Sequence, residues 1–217
     1  MKEQRYRVTY AKAVYGKEEI QAVVDVLKKH GTMMGPNVRT FEKRVAKLFG
    51  KKFGIMVNSG SSANMIAARL LSLPEGSEII TPALTFSTTI TPFIQNRVVP
   101  AFVDAKEGTY QIDVDRIEEM ITKKTSALVV PSLLGNLPDF SRLRHIAQKY
   151  NLYFFEDSCD TLGGTFSGKL TGSFSDISTT SFYASHIITA AGGGAMLCLH
   201  DKALARRALV MANWGRE

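Results

Sequence analysis

From residue 17 to residue 49 the apolar positions recur every three or four residues. KEEIQAVVDVLKKH (17–30) sets Ile20, Val23, Val24 and Leu27 on one stripe, with Gly31 as a natural stop. VRTFEKRVAKLF (38–49) turns Val38, Phe41, Val45 and Leu48 inward, so two amphipathic helices are predicted. Beyond Gly54 the pattern becomes short apolar runs separated by helical stretches. GIMVN, SEIITP, VVPAFVDA, SALVVPSLL and NLYFFED read as strands. Between them SSANMIAARLLSL, FSTTITPFIQN (interrupted by Pro92), DVDRIEEMIT (with Asp113 as N-cap) and DFSRLRHIAQKY read as helices. Strands buried on both faces and separated by helices of about ten residues imply an α/β fold, a mostly parallel sheet with helices on both sides. After Asp157 the rhythm breaks into hairpin material, GGTFSGKLTGSFSD. It resumes with a strand at AMLCLH and a helix from Lys202.

A chain of 217 residues suffices for one well-buried domain, and its 45% hydrophobic and 22% charged residues are those of an ordinary globular protein. The two cysteines, Cys159 and Cys198, are too few for a disulfide framework and fit a reducing compartment. MKEQRYRVTYAK lacks the apolar stretch of a signal peptide, and no apolar run approaches the ~18 residues of a membrane span. A cytoplasmic protein is therefore expected. The formal net charge of +7 suits an anionic partner. Its basic residues are scattered, with no basic block and no aromatic–basic ladder, which favours a phosphate-bearing small molecule over nucleic acid. WGRE follows directly on the last helix, so a longer protein is expected to continue past Glu217.

Ligands of parallel α/β sheets bind where strands end and helices begin, and three such junctions are chemically loaded. Asn58-Ser-Gly-Ser-Ser-Ala-Asn64 offers free N–H groups, hydroxyls and a positive helix end to a phosphate; a plain helix cap has the same composition. It lacks the Gly-Lys-Ser/Thr spacing of a nucleoside-triphosphate loop. Glu156-Asp-Ser-Cys-Asp160 puts carboxylates at a strand's end, where they could hold a cationic ring nitrogen or a metal, or serve as a cap or ion pair. No histidine stands at ligand spacing, which disfavours a metal. Finally, SFYASHIITAAGGGAM (181–196) places His186 between hydroxyls and three glycines, in a span without lysine from Lys169 to Lys202. A lone histidine is commonly structural, yet glycines mark a close backbone approach.

In this order the three junctions resemble the pyridoxal-phosphate (PLP) aspartate-aminotransferase fold, fold type I. The likeness is to the DegT/StrS-type sugar aminotransferases acting on nucleotide-linked keto-sugars. GTMMGPNVRTFEKRVAKLFG resembles that family's entry segment, NSGSSAN its phosphate loop, and PSLLGNLPD its central strand end; TPALTF puts Phe86 where an aromatic ring stacks on the cofactor. The resemblance implies a PLP-binding large domain over 36–217, preceded by a segment and helix over 1–35, with the C-terminal small domain absent. It implies further that Gly60, Ser61, Ser62 and Ser181 hold the phosphate, that Asp157 pairs with the ring nitrogen, and that Asp160 lies near the ring hydroxyl.

Residue 186 departs from the aminotransferases, which carry there the lysine that tethers PLP. An imidazole cannot form that bond but can take and give a proton. With EDSCDTLGG, His186 resembles the subgroup of 3-dehydratases of nucleotide-linked 4-keto-6-deoxyhexoses, enzymes of deoxysugar and O-antigen biosynthesis. The subgroup uses untethered pyridoxamine phosphate (PMP), whose amine condenses with the sugar's C4 ketone; His186 and Asp157 are the implied catalytic residues. One branch regenerates PMP from glutamate, the other receives electrons from a reductase through a 2Fe–2S cluster. Cys159 lies where that branch has its first ligand; one cysteine holds no cluster, the remaining ligands being expected beyond Glu217, so both branches stay open. Ala191-Gly-Gly-Gly194 lacks the glutamate of the family's Gly-Glu-Gly-Gly. A homodimer is also implied. The alternatives are an aminotransferase using another lysine, and a non-catalytic ligand-binding relative.

Overall fold

The computed structural model describes residues 12–216; the charged stretch of residues 1–11, read above as lacking a signal peptide's apolar core, lies outside the described residues, as does Glu217. Its centre is a seven-stranded sheet. In chain order the strands and main helices are α1 (Lys17–Lys28), α2 (Pro36–Leu48), β1 (Phe53–Val57), α3 (Gly60–Leu71), β2 (Glu78–Pro82), α4 (Ser87–Gln95), β3 (Val99–Val103), β4 (Thr125–Pro131), α5 (Phe140–Lys149), β5 (Tyr153–Asp157), β6 (Thr165–Phe166), β7 (Lys169–Leu170), β8 (Ile177–Ser181), β9 (Ala195–Leu199) and α6 (Lys202–Ala212). The sheet order is β1-β9-β8-β5-β4-β2-β3, with β6 and β7 forming a separate hairpin. Within the seven-stranded sheet every pairing is parallel except those of β9, which runs antiparallel to both β1 and β8.

Alternation along each strand sorts the core into two layers. Phe155, Ile177, Leu197 and Leu199 join Ala63, Ala67, Leu70 and Phe93 on the side of α3, α4 and α6. Phe154, Leu128 and Val130 face Phe140, Leu143 and Ile146 of α5 on the other. A third cluster seats Val45, Ala46 and Phe49 of the α2 region against Met196, Cys198 and Phe182. Asp139 and Asp201 cap α5 and α6 through their carboxylates, as the capping rule requires. No helix among the described residues is long and apolar enough to cross a membrane.

Several expectations need correction. Leu48 points outward, 41% exposed, while Phe49, four residues after Val45 at the helix end, takes the inward place. The apolar stripe of α1 has no buried member among the described residues, with Ile20 and Leu27 about half exposed. DVDRIEEMIT folds as two short 3₁₀ turns, Val114–Arg116 and Glu118–Met120, rather than one helix, although Asp113 does cap the first. Pro92 does not interrupt α4, which runs through it. The unpredicted strand is β8, whose sequence ISTTS hides a fully buried strand under hydroxyl residues.

Candidate active site

A cavity of about 580 Å³ opens at the carboxyl ends of β4, β5 and β8 and over the first turn of α3. Of the nominated residues, Gly60, Ser61, Phe86, Asp157, Cys159, Asp160, Ser181 and His186 all line it. Ser62 does not: its N–H and hydroxyl both meet the Ser59 hydroxyl, 3.1 and 3.0 Å away, in the helix cap.

Ser59 ends its extended backbone at the cap, so the first N–H groups of α3 lack intrahelical acceptors and face the cavity's phosphate corner. Gly60 is required there. A Cβ would stand 2.8 Å from Cys159 Sγ and 3.3 Å from Ser181 Cβ. The Ser61 hydroxyl donates to Thr88 at 3.0 Å, while Ser181 Oγ accepts the Tyr183 N–H at 3.2 Å. Small residues, two hydroxyls and a helix start thus converge on one corner.

Strand alternation places Asp157 on the face of Phe155, toward α3, and Glu156 on the opposite face. Asp157 is 5% exposed; its Oδ2 accepts from Asn64 Nδ2 at 2.8 Å and Thr89 Oγ1 at 2.7 Å, and its Oδ1 from the Cys159 N–H at 3.1 Å. Glu156 is buried behind the site, where the hydroxyls of Ser158, Ser175 and Ser178 donate to it.

His186 lies across the cavity. Its Nε2 is 3.8 Å from Asp160 Oδ1, ion-pair rather than hydrogen-bond range, and its Nδ1 is buried without a partner. Asp160 is held from behind by the Leu134 N–H, 3.0 Å from Oδ2, and the Tyr183 ring stands edge-on to the imidazole at 5.8 Å. Asp160 therefore sits beside His186, a neighbour that reading the sequence did not supply. The glycines explain themselves by packing: Cβ atoms on Gly193 and Gly194 would approach the Asn58 carbonyl at 3.2 Å and Met56 Cε at 2.7 Å.

Burial, followed by the carboxylates of Asp157 and Asp160, pushes the Cys159 thiol well up, so it stays protonated. Cys198 lies on the α2 side of the sheet, its thiol also raised by burial. The described residues hold no group of three His, Cys, Asp or Glu side chains suited to a metal ion. Among the described residues, no lysine lines the cavity. The buried Lys51 is spent elsewhere, donating to the carbonyls of Ser175 and Asp176. Thr88, Thr89 and Tyr183 were not nominated from the sequence, and Asn64 was read only as the end of the 58–64 junction, with no role of its own. Asn64 was visible as a lone amide in a helix of alanines and leucines; the threonines carried no signal apart from a hydroxyl-rich context.

A glycine cradle at a helix start, an acceptor carboxylate in the floor and an aromatic rim at Phe86 fit a phosphorylated pyridine. The chain belongs to the DegT/DnrJ/EryC1/StrS aminotransferase family, which it matches over residues 14–217. It is 39% identical, over 94% of its length and 46% of the relative's, to a dTDP-4-dehydro-2,6-dideoxy-D-glucose 3-dehydratase of Saccharopolyspora spinosa. A lipopolysaccharide biosynthesis protein of Salmonella typhimurium is 38% identical over 94% of this chain and 48% of its own. Among solved structures, a GDP-4-keto-6-deoxymannose-3-dehydratase with a trapped PLP-glutamate geminal diamine superposes with a TM-score of 0.90, at 31% identity, over 96% of this chain and 55% of that one. A UDP-2-acetamido-2-deoxy-3-oxo-D-glucuronate aminotransferase of Pseudomonas aeruginosa matches as well, 31% identical over 93% of this chain and 56% of its own. The chain spans about half the length of these relatives.

Proposed function

We propose that the protein is a PLP/PMP-dependent 3-dehydratase of a nucleotide-linked 4-keto-6-deoxyhexose, working in deoxysugar or lipopolysaccharide synthesis. One observation carries this reading: the cavity brings the phosphate cradle, Asp157 and His186 together while none of its lining residues is a lysine. Gly60, Ser61 and Ser181 would bind the phosphate, Phe86 the ring face, and Asp157 the ring nitrogen. When bound, the cofactor supplies an amine for the sugar ketone and a ring that accepts electrons.

The protein's own residues then have distinct tasks. His186 moves the proton, and Asp160 keeps the imidazole beside the cavity through its Nε2. Phe86, Leu84 and Leu134 form an exposed apolar rim to the cavity. Regeneration by glutamate is supported by the PLP-glutamate adduct in the superposing dehydratase. Cys159 is a buried thiol packed against Gly60, and Cys198 lies on the other side of the sheet, so the described residues alone hold no set of cysteines for a 2Fe–2S cluster fed by a reductase. The domain division at 35/36, a homodimer and a cytoplasmic setting complete the proposal. The apolar face of α1 supports the homodimer, and the free thiols support the setting.

Borohydride reduction after loading with PLP is the decisive test. An aminotransferase working through another lysine would retain the cofactor covalently; the expected result is that gel filtration in denaturant removes all of it. Dehydration of a nucleotide-linked 4-keto-6-deoxyhexose in the presence of PMP must then be observed by mass spectrometry, and its absence would mean a ligand-binding relative without catalysis.

A further inference from the structure

We propose that Asn64 is a positioning residue for Asp157, aiming that carboxylate at the ring nitrogen of the cofactor and tying it to the phosphate-binding helix; this rests on the function proposed above. Asn64 is 1% exposed, one turn beyond Gly60 in α3, among Ala63, Ala67 and Ala68. A buried amide is costly unless its donors and acceptor are met, and here they are. Nδ2 donates to Asp157 Oδ2 at 2.8 Å and to the Thr88 carbonyl at 3.3 Å, while Oδ1 accepts the Thr179 hydroxyl at 2.7 Å.

Two details make this a device rather than a coincidence of packing. First, the amide has one orientation. Reversed, its oxygen would face two acceptors, the Asp157 carboxylate and the Thr88 carbonyl. Second, the Thr88 carbonyl is available because of Pro92. In an unbroken helix it would accept the N–H four residues on, and proline has none. The imino acid inside α4 thus frees an acceptor that turns the second N–H of Asn64 and fixes the first on Asp157.

Every group meeting Asp157 is a donor: Asn64 and Thr89 at Oδ2, the Cys159 N–H at Oδ1. The Cys159 thiol also donates to this carboxylate, and Asp157 lines the cavity. Asn64 and Gly60 belong to the same helix, so the anchor for the ring and the anchor for the phosphate move as one piece.

The experiment measures PMP affinity by fluorescence titration for the wild type, Asn64→Leu and Thr179→Val. A second ligand is the analogue with carbon in place of the ring nitrogen, and a second background is Asp157→Asn. Asn64→Leu is expected to weaken PMP about tenfold or more, the loss of a hydrogen bond to a charged group, and to leave the nitrogen-free analogue within roughly twofold. In the Asp157→Asn background the same change should add nothing further. Thr179→Val, which removes only the hydroxyl orienting the amide, should move PMP in the same direction and keeps the test sharp if the leucine variant melts early. Equal weakening of both ligands would reduce Asn64 to a packing residue, and unchanged PMP affinity would remove its role altogether. Failure of the wild type to bind PMP would overturn the proposed function itself, a result distinct from either.

Discussion

At the level of single residues, the proposed roles separate groups that would hold the cofactor from the group that would react. His186→Gln should leave PMP affinity within a factor of a few while cutting turnover by roughly 10²–10⁴-fold, the usual worth of general acid–base catalysis. Single-turnover assays beside a binding titration check both halves. His186→Lys should make borohydride trap the cofactor covalently, because an amine then stands where the imidazole did. Asp157, His186 and the cradle were readable because their types are rare at strand ends. Asp160 was readable as a carboxylate but not as the neighbour of His186; that proximity arises from the left-handed turn at Leu134, φ 57°, whose N–H draws the carboxylate in. Local sequence carries no trace of such a meeting.

Among the secondary elements, α3 is the most burdened, since its cap, cradle and Asn64 lie within two turns. Ser59→Ala should cost about 1 kcal/mol of stability, as for other lost N-caps, and weaken inorganic phosphate binding in parallel; chemical denaturation and titration measure the two. Gly60→Ala is expected to be worse, because the new methyl meets Cys159 Sγ at 2.8 Å. Combining it with Cys159→Ala removes the obstacle and should recover most of the lost melting temperature. Helices and apolar strands were legible from periodicity because their patterns are local. ISTTS (177–181) was not, since its burial depends on partners from α3 and β5 that only the assembled sheet supplies: Thr179 on Asn64, Ser178 on Glu156. DVDRIEEMIT has the right period for a helix, yet only Val114 and Ile117 are fully buried, with Ile121 partly so. Too little is buried to extend its 3₁₀ turns.

Across the whole molecule, buried ionisable groups set the response to pH. Burial lowers Lys51 to about 8 from 10.5, with Glu156 and Asp176 opposing. The native chain therefore gives up this proton before the unfolded one. Between about pH 8 and 10.5 the unfolded state binds more protons, so this group's contribution to stability rises with pH and is least favourable below 8. The thiols of Cys159 and Cys198 act oppositely, because burial keeps them protonated after the unfolded chain has begun to ionise near 9. A comparison with Lys51→Met isolates the lysine: urea unfolding should show the wild type gaining up to about 3 kcal/mol on the variant over that window. The α/β class and the parallel core were evident from the alternation of elements. The reversal of β9 was not, because an apolar strand of five residues reads the same in either direction.

That reversed strand has a consequence for how the protein comes into being. Strand β1 has β9 as its sole sheet partner among the described residues, and β9 joins it to β8. During synthesis the opening strand must wait, with the helix bearing the cradle, until some 140 later residues have left the ribosome (roughly ten seconds or more at the usual pace of translation). The wall residues Ser59, Gly60, Ser61 and Asn64 are therefore made well before the strand that locks them into place. Chaperones would be expected to meet this molecule with its coenzyme cradle still unformed.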